Sequence, residues 1–113
     1  MYDIHCHILP GIDDGPDQME DSLTMARLAT EDGTRTLVAT PHIDKVTDIG
    51  GKDALVRHIQ AFREEVTSRG IGLDVVMGAE HLLSAELLVE VQDGTAISIN
   101  RSQYLLVEID FFQ

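Results

Sequence analysis

The residues best suited to chemistry stand at the start of the chain. Asp3-Ile4-His5-Cys6-His7 carries two imidazoles at i and i+2. In a strand, side chains alternate, so Asp3, His5 and His7 are expected on one face and Ile4 and Cys6 on the other. Neutral imidazoles beside a carboxylate are the beginning of a metal site. The turn that follows, residues 9–16, adds Asp13 and Asp14. A His-x-His pair alone is weak evidence, but ligand-type residues recur along the chain in Thr40-Pro41-His42, Gly78-Ala79-Glu80-His81 and Glu108. Imidazole with carboxylate suits zinc, manganese or iron, and Glu80 or Glu108 has the chemistry to bridge two ions. Such a cluster activates water and holds an anionic oxygen, which is the chemistry of phosphoester or amide hydrolysis.

The elements that must position these groups alternate between strand and helix. Residues 2–6 read as a strand. Residues 17–32 read as a helix, with Asp17 as cap, Glu20 in capping-box position, and Met19, Leu23, Ala26 and Ala29 as its apolar stripe. Residues 36–39 form a short apolar strand expected to be buried on both faces. Residues 52–69 form the clearest helix, with Leu55, Ile59, Phe62 and Val66 inward and Gly70 as its stop. Residues 73–77 read as a strand. Residues 84–92 read as a helix with Leu87, Leu88 and Val91 inward, and residues 104–109 as a last strand. The polar stretch 43–51, ending in Gly50-Gly51, is expected to be a mobile loop.

This alternation predicts right-handed βαβ units and a parallel sheet, hence an α/β fold. Each candidate ligand then falls at the C-terminal end of a strand, which is the active-site face of such folds. The strands are too few to close a barrel. The chain also stops just after a strand, at Asp110-Phe111-Phe112-Gln113, so the pattern reads as the first half of a larger domain.

Three further residues are set apart. His58 lies mid-helix beside Arg57 and reads as a surface residue. His81 would point away from Glu80 along a strand and stays outside the cluster. Cys6 reads as a buried apolar side chain. A cysteine phosphatase needs a phosphate-cradling loop that closes on an arginine, and the corresponding position here is Ile12.

The chain has 113 residues, with 20 acidic and 8 basic, for a net charge of -12. That charge argues against nucleic acid and anionic membrane surfaces as partners. No apolar run approaches a membrane span and no signal peptide is expected. One cysteine excludes an intrachain disulfide, and a cytoplasmic location fits.

Asp3-Ile4-His5-Cys6-His7-Ile8-Leu9-Pro10-Gly11-Ile12-Asp13-Asp14-Gly15, Ala39-Thr40-Pro41-His42, Gly78-Ala79-Glu80 and Leu105-Leu106-Val107-Glu108-Ile109 together resemble the PHP (polymerase and histidinol phosphatase) superfamily. Within it the similarity points to the bacterial manganese-dependent protein-tyrosine phosphatases of capsule and exopolysaccharide operons. The resemblance implies the first half of a distorted (βα)7 TIM-like PHP barrel, with residues 1–113 as the N-terminal part of one PHP-type metallohydrolase domain. It implies a trinuclear centre of manganese, with zinc, iron or magnesium as substitutes. His5 and His7 would hold one ion, Glu80 would bridge it to a second that Glu108 also binds, and Asp14 and His42 would hold a third. Asp13 or Asp14 fits the loop position, and Asp14 is taken.

The implied reaction is hydrolysis of phosphotyrosine on a partner tyrosine kinase by a metal-bound hydroxide. The family's later ligands, a histidine in a later strand and an Asp-x-His near the end, have no counterpart in these 113 residues. This polypeptide alone is therefore not expected to be active without the missing half or a second copy. The alternatives are another PHP phosphoesterase, such as a histidinol phosphatase, or an inactive fragment that binds metal or a partner.

Overall fold

The structure, a computed structural model, describes residues 2–13, 15–102 and 104–108. Parallel strands alternate with helices, as the sequence pattern requires. Strand β1 (Tyr2–Cys6) leads to helix α1 (Met19–Glu31), then β2 (Thr36–Ala39), α2 (Ile43–Asp48) and α3 (Lys52–Ser68). Strands β3 (Asp74–Met77) and β4 (Glu80–Leu82) follow, then α4 (Ala85–Asp93), a single 3-10 turn (Ile99–Arg101) and β5 (Leu106–Glu108). Strands β1, β2 and β3 form one parallel sheet in that order, and β4 and β5 form a second parallel pair. A parallel bridge between His42 and Glu80 joins the two.

The core forms where the apolar periodicity places it. On α3, Leu55, Ile59, Phe62 and Val66 are all buried, and on α1 Leu23 and Ala26 are fully buried. They close over Leu37, Ala39 and Val75 of the sheet. Burying one such Leu or Phe side chain is worth roughly 1.5–3 kcal/mol. Gly33, at φ 94°, ends α1 in a left-handed turn: its amide bonds the Thr30 carbonyl and the Thr34 amide bonds that of Ala29.

The start of α1 departs from the capping-box expectation. The helix is capped at Gln18, with no side-chain bond to its first amides. Glu20 is drawn instead to Arg69 at the end of α3, at 2.6 and 3.3 Å from its guanidinium nitrogens. A two-pronged charged pair outcompetes a neutral backbone amide. Both partners are solvent-facing, so the pair orients α1 on α3 more than it stabilises them.

The stretch expected as a mobile loop contains α2. Val46 is buried and Ile43 and Ile49 pack partly buried against the core, but six residues are too few to distinguish this spacing from that of a loop. Gly50, at φ 119°, bonds the Thr47 carbonyl, and Gly51 bonds that of Val46. The glycine pair is thus a helix stop. Among the described side chains of α4 only Leu87 is buried; Leu88 and Val91 are 68% and 51% exposed, contrary to expectation. Among the described residues no layer covers that side of the helix. The last strand begins at Leu106, two residues later than expected, and Ile109 and the terminal Phe111-Phe112 lie outside the described residues. No helix among the described residues is long and apolar enough to cross a membrane.

Candidate metal centre

Strand β1 does not alternate strictly. Its register on β2 runs Tyr2 to Thr36 and Asp3 to Leu37, then skips to Cys6 on Ala39, so β1 holds one extra residue between those contacts. Such a bulge re-aims the side chains beyond it. Asp3 accepts the backbone N–H of His5 at 3.0 Å instead of joining the imidazoles. Beyond the bulge, the Nε2 atoms of His5 and His7 approach to 3.2 Å.

The end of β1 is tied to β2 by Thr40. This buried hydroxyl accepts the Cys6 N–H at 2.9 Å, and the Thr40 N–H donates to the Cys6 carbonyl at 2.8 Å. Pro41 and His42 then leave the sheet, and the Pro41 carbonyl receives the Glu80 N–H at 2.8 Å. That bond places Glu80 beside the histidines. Glu80 opens β4 and does not end β3, because the chain bends at Gly78-Ala79. A Cβ at Gly78 would lie 2.9 Å from Val38 Cγ1 and 3.2 Å from Thr40 Cγ2, so only glycine passes freely here.

Glu80 is the centre of the cluster, with its side chain 7% exposed. Its Oε2 lies 2.7 Å from His7 Nε2 and 3.2 Å from His42 Nδ1, and its Oε1 lies 3.3 Å from His5 Nε2. Yet none of these approaches gives buried Oε2 a hydrogen bond of acceptable geometry. A buried carboxylate oxygen without such a bond is costly. Its surroundings are imidazole nitrogens, two of them facing one another. This donor set fits a divalent cation better than it fits a hydrogen-bond network.

Ligand-type atoms within 4.8 Å of one another fall into three overlapping groups: His5, His7 and Glu80; His7, Asp13 and His42; His42, Glu80 and Glu108. The structure therefore brings together His5, His7, His42, Glu80 and Glu108. Asp14 lies outside the described residues. The carboxylate described on this loop is Asp13, which sits 2.8 Å from His7 Nδ1 and accepts the N–H of His42 and of Gly15. Burial alone would raise its pKa, but the His42 amide, the His7 ring and the Gly15 amide outweigh it and hold the carboxyl below 3.8. The Asp13-x-Gly15 spacing is an aspartate-turn signal readable in the sequence. A Cβ on Gly15 would strike the His7 carbonyl, so this loop folds closely over β1.

A cleft of about 550 Å³ opens beside Glu80, with Ile43, Leu82 and Ala85 as apolar wall and Asp44, Glu90 and Glu108 as acidic groups. The residues set aside earlier stay outside the cluster. His81 is fully buried, accepts the Ile97 N–H at 3.2 Å through Nε2 and faces the Leu106 carbonyl at 3.3 Å through Nδ1. His58 is partly buried on α3, less exposed than expected. Cys6 packs against the core, and burial, assisted by the Asp3 charge, pushes its thiol up to about 11. It is no thiolate nucleophile at neutral pH.

Fold and site together define an α/β protein with a histidine–carboxylate cluster gathered where parallel strands end. The chain belongs to the family described as "Capsular polysaccharide synthesis, CpsB/CapC", whose model matches residues 1–113. It is 34% identical over 111 residues to tyrosine-protein phosphatase YwqE of Bacillus subtilis, covering 98% of this chain and 44% of that protein. It is 27% identical to tyrosine-protein phosphatase CpsB of Streptococcus agalactiae serotype V, over 96% of this chain and 44% of the relative. A solved structure described as "Crystal structures of YwqE from Bacillus subtilis and CpsB from Streptococcus pneumoniae, unique metal-dependent tyrosine phosphatases" superposes with a TM-score of 0.90 at 34% identity. That match covers 98% of this chain and 45% of the solved one. The chain thus spans less than half the length of these relatives.

Proposed function

We propose that this chain is the N-terminal part of a single PHP-type metallohydrolase domain and carries much of the metal site of a protein-tyrosine phosphatase. The observation that carries the reading is Glu80: a buried carboxylate whose Oε2 has no acceptable hydrogen bond, with nitrogens of His7 and His42 beside that oxygen and His5 beside Oε1. His5, His7, Glu80, His42 and Glu108 would hold manganese ions, with Asp14 as the loop ligand. Bound ions would supply positive charge for the phosphoryl oxygens and acidify a water. Glu80 links the His5–His7 group to the His42–Glu108 group, and so would set the spacing between ions. The two hydrogen bonds between Thr40 and Cys6 would help to hold the histidines in place before any ligand arrives, preorganising the site.

The cleft beside Glu80 suits an aromatic phosphoester. Ile43, Leu82 and Ala85 offer an apolar wall for a ring, while the phosphate reaches the cluster. The substrate is a phosphotyrosine protein, with a cytoplasmic tyrosine kinase of capsule or exopolysaccharide synthesis as the partner. Names of the relatives and of the family support the phosphotyrosine substrate and the setting of capsule synthesis.

The test is manganese-dependent hydrolysis of a phosphotyrosine peptide by the purified protein, beside a His5→Ala/His7→Ala double variant. Turnover lost in the double variant supports the reading. A folded protein that binds manganese and hydrolyses nothing, even when mixed with the C-terminal half of a relative, would refute the phosphatase assignment for this chain.

A further inference from the structure

Asp13 is held on both carboxylate oxygens by its neighbours. Its side chain is 2% exposed. Its Oδ1 accepts the Gly15 N–H at 3.1 Å, and its Oδ2 accepts the His42 N–H at 3.0 Å while lying 2.8 Å from His7 Nδ1. Three approaches use most of the lone-pair directions a carboxylate has. The His7 ring consequently spends Nδ1 on Asp13 and leaves Nε2 toward Glu80 and His5, at 2.7 and 3.2 Å. The same Oδ2 binds the residue that opens α2, so one atom fixes both His7 and the backbone of His42.

We propose that Asp13 is a positioning residue that coordinates no ion: it keeps the Nδ1 proton on His7, aims Nε2 into the cluster, and sets the distance between His7 and His42. A carboxylate behind a ligating imidazole also raises the basicity of the coordinating nitrogen. The proposal rests on the metal-site reading above, and it separates Asp13 from Asp14, which share a loop but would have different tasks.

Two measurements test it without recourse to turnover. The first is nitrogen NMR of the imidazoles in the metal-free wild-type protein at neutral pH. A proton on Nδ1 of His7 is expected, and a proton on Nε2 would overturn the proposal even if every variant misfolded. The second is calorimetric titration with manganese of wild type and Asp13→Asn. The expected result is the same number of ions at an affinity lower by about 10–100-fold, the usual cost of losing such a partner. One ion fewer would make Asp13 a ligand, and unchanged affinity would make it a bystander; either overturns the proposal. A wild type that binds no manganese refutes the metal-site reading itself, and the tautomer then still decides whether Asp13 orients His7.

Discussion

Thr40 and Cys6 exchange two bonds across the top of the sheet: the Thr40 hydroxyl accepts the Cys6 amide at 2.9 Å, and the Thr40 amide reaches the Cys6 carbonyl at 2.8 Å. Cys6 lies between His5 and His7, so this junction fixes the backbone that carries both imidazoles. Thr40→Val keeps the shape and removes the acceptor. The expected loss of stability is about 1–3 kcal/mol, the cost of leaving a buried donor unmade. Urea unfolding monitored by circular dichroism measures it.

Gly78 makes a second, steric demand on the same region. Gly78→Ala would press a methyl against Val38 Cγ1 at 2.9 Å. Overpacking of this kind costs roughly 1–3 kcal/mol. The strain has a named partner, so Val38→Ala in the same chain should recover part of the loss. A double-mutant cycle of thermal melts reads the coupling, and strict additivity would mean that the bend yields elsewhere.

His81 predicts a different kind of failure from its neighbour Glu80. Its ring joins the Ile97 amide to the Leu106 carbonyl in the interior. His81→Leu removes the acceptor of the Ile97 N–H, at about 1–3 kcal/mol, while the Leu106 carbonyl keeps its place in the β4–β5 ladder. The expected signature is lower stability with the metal-binding stoichiometry retained, measured by melts and by manganese titration in parallel.

Cys6 carries the pH prediction. Burial, with the Asp3 charge behind it, raises the thiol from 9.0 to about 11. The neutral thiol is the form that the fold favours. The stability this contributes is fully present below pH 9 and is lost as pH rises toward 11. Alkylation by iodoacetamide should be slow at pH 8 in the folded protein and fast once it is unfolded in urea. Equal rates would contradict the buried thiol.

Much of this was legible in the sequence. Leu55, Ile59, Phe62 and Val66 announced α3, and all four are buried. That His5, His7, His42, Glu80 and Glu108 would come close together was legible, because strand ends in a parallel fold converge. Four things were hidden. A bulge in β1 depends on cross-strand register, which no local pattern encodes, and it is what separates Asp3 from the imidazoles. Helix α2 is too short to show periodicity. The capping box at Glu20 lost to Arg69, a partner 49 residues away that local reasoning cannot see. Leu88 and Val91 were misplaced because amphipathic counting assumes a covering layer.

The most direct test of the central claim is manganese titration of Glu80→Gln against wild type, read by calorimetry and by the electron paramagnetic resonance of free manganese. Gln keeps the volume and removes the charge that three imidazoles surround. The wild type is expected to bind manganese tightly and Glu80→Gln to lose that binding while keeping its fold. Wild-type affinity in Glu80→Gln, or no binding by either protein when both are folded, would contradict the claim.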